Sequence, residues 1–207
     1  MKLLLATRNR NKVIEMQHAL EDTGWQVVML SDIVGAPDVE EDGATFKDNA
    51  LKKARGAARF SHLWTLAEDS GLEIDALGGE PGVRSARYAG DGATDAERIR
   101  KVLGHLVSVR DEQRTARFRC LICVIDPAGK ESCFEGRCEG RMAHRAAGSS
   151  GFGYDPIFIP DGYDRTFAEL GLGVKNKISH RARALEQVIA FLRQTRGIQA
   201  PSGQGVE

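Results

Sequence analysis

Leu66-Ala67-Glu68-Asp69-Ser70-Gly71-Leu72 is the stretch on which the reading of the whole chain turns. An apolar run from Trp64 to Ala67 meets two adjacent carboxylates, then Ser70 and Gly71, then the alternating Leu72-Glu73-Ile74-Asp75. This pattern predicts a buried strand that ends at a site, a tight turn, and a second strand leaving it. Adjacent acids at a strand end repel unless a cation lies between them, and Mg²⁺ is the usual cation of phosphate chemistry. A solvated turn is the plainer reading of an isolated Glu-Asp pair, so the surrounding chain has to decide.

With 207 residues, 42% hydrophobic and 28% charged, the composition is that of an ordinary globular domain, read here as one unit over 1–196. Lys plus Arg equals Asp plus Glu at 29 each. A protein that lives on nucleic acid carries a positive excess or a basic block, and this chain has neither. No apolar run approaches the ~20 residues that span a bilayer. Met1 to Ala6 is too short for a signal-peptide core and reads as the first strand. Cys120 and Cys123, three apart on one strand, point to opposite faces, while Cys133 and Cys138 lack a zinc-ribbon spacing. Buried free thiols and a cytoplasmic location are expected.

Working outward, Lys2 to Ala6 reads as a strand, Thr7-Arg8-Asn9-Arg10-Asn11-Lys12 as a polar loop, and Val13, Met16 and Leu20 as a helix closed by Gly24. Strand, polar loop and helix N-terminus together form a geometry that grips phosphate, and Lys12 adds a point charge. Trp25 to Leu30 is a second strand. Glu40 and Glu41 form another acidic pair, available to share a cation with Asp69. Thr45 then caps a helix whose apolar side carries Phe46, Ala50, Leu51, Ala54, Ala57 and Ala58. Its lysines and arginines are mostly a solvated face from which one could turn inward.

The glycines between Leu77 and Gly92 predict a long mobile loop, a lid or an interface. Thr94 and Glu97 make a capping box ahead of a helix with Ile99, Val102, Leu103 and Leu106 on its core face. Ala116 to Ile125 is the most apolar strand, hairpinned to a partner from about Glu131. In Gly151-Phe152-Gly153-Tyr154-Asp155-Pro156, two exposed aromatic rings beside a carboxylate suit a purine, although loop aromatics also serve as packing anchors. Ser179 caps the last helix and puts His180 and Arg181 in its first turn, where cations oppose the dipole and an anion or carbonyl would explain them. From Gly197 the chain reads as a disordered tail.

Thr7-x-Asn9-x-x-Lys12, Glu40-Glu41-x-Gly43-x-Thr45-Phe46-x-x-Asn49-Ala50, Asp69-Ser70-Gly71-Leu72, Gly78-Gly79-x-Pro81-Gly82-x-x-Ser85-Ala86-Arg87, Gly151-Phe152-Gly153-Tyr154-Asp155-Pro156 and Ile178-Ser179-His180-Arg181 occur in that order. Together they resemble the RdgB-like branch of the inosine triphosphate pyrophosphatase family over residues 2 to 193. The resemblance implies an elongated α/β fold, with a mixed sheet flanked by helices and two lobes around a nucleotide-binding cleft. It implies a homodimer that uses Mg²⁺ to cleave non-standard purine nucleoside triphosphates (ITP, dITP, XTP) to monophosphate and pyrophosphate. Asp69 would be the general base and, with Glu40 or Glu41, a metal ligand. Thr7, Arg8, Asn9, Arg10, Asn11, Lys12, Lys53 and Ser70 would bind phosphates. Phe152, Gly153, Tyr154, Asp155, Lys175, His180 and Arg181 would enclose base and sugar. Glu68 replaces an Asp common in the family and would serve only as a second metal ligand, and Arg8 replaces a Gly. A pyrimidine-directed pyrophosphatase of related fold and a nucleotide-sensing module without turnover are the competing readings.

Overall fold

The computed structural model describes residues 1–36 and 39–199. Strands β1 (Lys2–Leu5), β2 (Gln26–Met29), β3 (Trp64–Ile74), β4 (Thr115–Ile125), β5 (Glu131–Met142) and β6 (Phe158–Pro160) form one mixed sheet. Their order is β2-β1-β3-β4-β5-β6. β1 runs parallel to β2 and β3, and every later pairing is antiparallel. At 11 or 12 residues each, β3 to β5 are about 37–41 Å long, which elongates the sheet. Helices α1 (Arg10–Leu20), α2 (Phe46–Ser61), α3 (Asp95–His105), α4 (Phe167–Leu170), α5 (Leu172–Ile178) and α6 (His180–Gln199) flank it. The α/β class and the mixed, helix-flanked sheet expected from the sequence are both present.

The first correction concerns the opening stretch. β3 neither ends nor turns at Glu68-Asp69; its ladder with β4 is unbroken from Thr65↔Ile125 to Ile74↔Ala116. Alternation sends the two acids to opposite faces, so they do not confront each other and each meets its own cation. The same alternation sorts the core. Leu66, Cys120 and Ile122 pack with Met16, Leu185 and Val188 of α1 and α6. Farther along that face, Leu72 and Phe118 pack with Phe158 and Phe167. On the other face Ala67, Leu121 and Cys123 pack under Phe46, Ala50 and Ala54 of α2.

The cysteine expectation is also corrected. Cys120 and Cys138 are free and buried, but Cys123 and Cys133 form a disulfide. They are direct cross-strand partners in the β4–β5 ladder, with Cα atoms 4.1 Å apart. A hairpin brings side by side two residues whose spacing along the chain says nothing, and the thiol argument for a reducing compartment falls away. Among the described residues no helix is long and apolar enough to cross a membrane.

Local signals hold well. Thr45 and Thr94 accept the predicted capping bonds, and Ser179 Oγ accepts from Ala182 N–H at 3.2 Å. The 77–92 loop is pinned rather than loose. Glu73 bridges to Pro81, Ser85 Oγ accepts from Leu72 N–H at 2.9 Å, and Arg87 reaches Glu41 O at 3.0 Å. Helix α6 continues three residues past the expected start of the tail, and residues 200–207 lie outside the described residues.

α6 rides directly on β5 at Gly136, where a Cβ would stand 2.0 Å from His180 O and 2.5 Å from Ala184 N. Backbone that close cannot yield cheaply. Gly136→Ala is expected to cost about 1–3 kcal/mol and lower Tm by about 3–10 °C. An unchanged melting curve would show that the helix does not depend on this approach.

Candidate active site

Pairing between β1 and β3 stops at Leu5↔Leu66, and Ala6 N–H makes a last bond to Leu66 O at 2.7 Å. Past that point, among the described residues, only the isolated Glu73–Pro81 bridge lies on that edge of β3. A cleft of about 430 Å³ fills the space, lined by the end of β1, α2, residues 69–71, the 83–87 turn, the 152–155 loop and the start of α6. Both faces of the sheet therefore contribute to one cavity.

At one end lies the polar loop after β1. α1 begins at Arg10, earlier than Val13, because Asn9 caps it by accepting from Asn11 N–H at 3.1 Å and Lys12 N–H at 3.3 Å. Two N–H groups expected to be free for an anion are thus already engaged. Thr7, Arg8, Asn9, Asn11 and Lys12 line the cleft, and Arg10 does not. Arg8 donates to Ala36 O at 3.1 Å.

Asp69 sits at the centre, 5% exposed. Asn49 of α2 donates to its Oδ2 at 3.0 Å and accepts from Gly43 N–H at 2.7 Å. Lys53, one turn on, is the cation that turned inward. Its Nζ lies 3.6 Å from Asp69 Oδ1 and 3.1 Å from Glu41 Oε1. Burial pushes the Asp69 carboxyl above its ordinary range; Lys53 and then Lys12 pull against that, and Glu41 adds to it. Glu40 is exposed and does not line the cleft. Among the described residues no three His, Cys, Asp or Glu side chains converge. Asp69 and Glu41 are linked through the ammonium of Lys53.

Glu68, raised from the sequence as a second metal ligand, is fully buried and bound to cations of the protein itself. Arg181 donates to it through Nε at 2.6 Å and Nη2 at 3.1 Å, and Lys12 Nζ lies 2.7 Å away. Against the cost of burial, Arg181 and then Lys12 hold its carboxyl well below the usual range. Arg181 continues to Glu15 at 2.5 Å, Glu15 to Lys175 at 3.0 Å, and Lys175 to Asp155 at 2.6 Å. Lys12, Glu68, Arg181, Glu15, Lys175 and Asp155 thus alternate in sign along one buried chain.

At the far end, Phe152 is half-buried, with Lys175 Nζ 4.3 Å from its ring centroid. Tyr154 was expected to be exposed; it is 4% exposed, and its hydroxyl donates to Ser85 O at 2.9 Å. Asp155 Oδ2 accepts from both Lys175 and Phe152 N–H, at 2.6 and 2.9 Å, so it organises the loop. His180 stacks on Phe118 with ring centroids 4.7 Å apart. Burial, then Arg181 and Lys175, hold its imidazole well below the ordinary range, which corrects the expected cationic pair: His180 is neutral. Its Nδ1 is buried without a partner. Ser70 Oγ is bonded to Arg181 and Glu68.

The sequence reading gave no role to Asn49, Glu15 or Phe118. Asn49 carried a signal, a polar residue amid the apolar side of α2; Glu15 and Phe118 carried none that survives without the fold.

A family model described as the Ham1 family matches residues 3–191. The chain belongs to the Ham1 family. The dITP/XTP pyrophosphatase of Desulforamulus reducens is 49% identical to this Ham1 chain over 192 residues, 93% of this chain and 96% of its own length. The dITP/XTP pyrophosphatase of Bacillus subtilis is 47% identical, covering 91% and 96%. The solved HAM1 protein of Coxiella burnetii superposes with a TM-score of 0.86 at 44% identity, over 94% of this chain and 99% of that one.

The buried charges of this Ham1 cleft separate sharply from its surface pairs. Glu68→Gln is expected to destabilise by about 3–5 kcal/mol in urea unfolding, because Arg181 loses its compensating charge. Arg55→Ala breaks the exposed pair with Glu131 and should cost less than about 1 kcal/mol. Equal losses would mean that Glu68 and Arg181 are solvated.

Proposed function

We propose that this chain hydrolyses non-standard purine nucleoside triphosphates (dITP, ITP and XTP) to the nucleoside monophosphate and pyrophosphate. The observation that carries the reading is Asp69, buried at the centre of the cleft and oriented by Asn49, with Lys12 and Lys53 beside it. The names of the Desulforamulus and Bacillus relatives support the substrate class.

Asp69 acts as general base. Asn49 engages Oδ2 at 3.0 Å, and Oδ1, 3.6 Å from Lys53 Nζ, takes the proton of an attacking water. The new bond joins that water oxygen to phosphorus, and the bond to the pyrophosphate oxygen breaks. A carboxyl raised by burial is a stronger base than a solvated one. Lys12, Lys53 and the side chains of Thr7, Arg8, Asn9 and Asn11 hold the phosphates, since phosphoryl transfer is mainly positioning and charge neutralisation. Mg²⁺ fits the donor set: it takes one or two carboxylates plus substrate phosphates, and Asp69 and Glu41, both within 4 Å of the Lys53 ammonium, would supply the carboxylates. When bound it would neutralise charge on the phosphate oxygens.

The neutral His180, with an unpartnered Nδ1 and a ring stacked on Phe118, suits the 6-keto edge of hypoxanthine or xanthine. An imidazole N–H can donate to that oxygen. The 6-amino group of adenine brings a second donor and leaves polar groups unpaired, which discriminates by about 10³–10⁵.

Pyrophosphate release from ITP, XTP, dITP, GTP, ATP and dTTP, with and without Mg²⁺, tests the reading. Release confined to the first three supports it, and preference for dTTP would transfer the fold to a pyrimidine substrate. Asp69→Asn should abolish turnover while leaving ITP affinity within about tenfold; near wild-type turnover would remove Asp69 as the base. Turnover needs ionised Asp69, so activity rises with pH through its carboxyl pKa. Lys53→Met removes the largest influence pulling that pKa down, and the acid limb of kcat/KM should move to higher pH. A limb that stays put would mean another group is titrating.

A further inference from the structure

α3 opens at the cleft, and its first turn holds two residues of a kind helix capping does not need. The cap is complete without them: Thr94 accepts from Glu97 N–H, and Glu97 Oε2 accepts from Thr94 N–H at 2.7 Å. Asp95 instead reaches away from its helix, and its Oδ2 accepts from Gly153 N–H at 2.7 Å across 58 residues of sequence. Gly153 sits at φ +62, a region that side chains disfavour, so the N–H given to Asp95 comes from a position built around glycine. Arg98, one turn on, donates to Asp95 Oδ1, to Ala93 O, and to Ala86 O at 2.8 Å. Asp95 and Arg98 both line the cleft.

We infer that Asp95 and Arg98 form a clamp that fixes the distance between the 152–155 loop and the 85–87 turn, and thereby sets which purines the cleft admits. Tyr154 hydroxyl to Ser85 O is the direct bond between these two walls. The clamp is the second connection, and it acts on the backbone of the residue between Phe152 and Tyr154. With one bond alone the loop can pivot about Tyr154; with two its spacing from the turn is set. Hypoxanthine carries only hydrogen at position 2, whereas guanine with its amino group and xanthine with its oxo group both need more of that spacing, so the clamp ranks ITP above either. The inference rests on the reading of the 152–155 loop as the base-binding wall. Asp95 and Arg98 are positioning residues and do no chemistry.

Two measurements on the full chain separate the clamp from that reading. In Asp95→Ala, hydrogen exchange of the 152–154 amides should quicken at least tenfold while the core of β4 keeps its protection. Unchanged exchange would overturn the clamp, whatever the enzyme hydrolyses. For turnover, Asp95→Ala is expected to raise KM for ITP about tenfold with kcat within threefold, and to lower the ITP-to-GTP ratio of kcat/KM at least tenfold. Asp95→Asn keeps an acceptor for Gly153 and should retain most of that ratio. A fall in Tm with an unaltered ratio would make Asp95 a helix-stabilising acid only. Failure of the wild type to act on ITP or XTP would sink the substrate reading, and the exchange result would still decide the clamp.

Discussion

Everything in the cleft depends on Glu68 being charged in a place that water does not reach. Removing a carboxylate from water costs several kcal/mol after relaxation, and attraction offsets that only where partners are close and well oriented. Arg181 supplies a two-pronged contact and Lys12 a third, and Arg181 is held in turn by Glu15. The resulting series of alternating charges ties β3, α1, α6, α5 and the 152–155 loop into one body. Arg181 belongs to this framework first, and whatever it offers a ligand is the remainder of its donor capacity.

The two acids of β3 illustrate how environment assigns roles to neighbours. Glu68 and Asp69 differ by one methylene and one position, yet one is drawn well below its usual range and the other pushed above it. The difference comes from the pleat. Glu68 faces a guanidinium and an ammonium in direct contact, while Asp69 faces an amide at 3.0 Å and an ammonium at 3.6 Å shared with Glu41. Glu68 is therefore a fixed anion of the scaffold, whereas Asp69 is held less tightly by its neighbours.

Much of the architecture was legible because it is written locally. Thr45, Thr94 and Ser179 announce helices through side chains that reach two or three residues on, and the apolar run of β4 needs no context. The six motifs also sufficed to recognise the family. The misreadings share a different cause. Glu-Asp-Ser-Gly looks like a turn until Arg181, 113 residues away, is known to neutralise the first acid. Tyr154 looks exposed until Ser85 O is found for its hydroxyl, and Cys123 looks single until the hairpin register sets Cys133 opposite. Asn49 is the exception that could have been found. A carboxamide on the apolar side of α2 is costly unless it has partners, and its partners are Asp69 and the Gly43 amide.

The unbroken course of β3 also limits how such a chain can change length over descent. Inserting or deleting one residue between Trp64 and Glu68 would exchange the faces of the strand beyond it, turning Glu68 toward α2 and Asp69 toward Arg181. No single substitution restores both. The connecting loops carry no such constraint, so a change in residue number is expected there, whereas this strand can exchange residues but not alter their number.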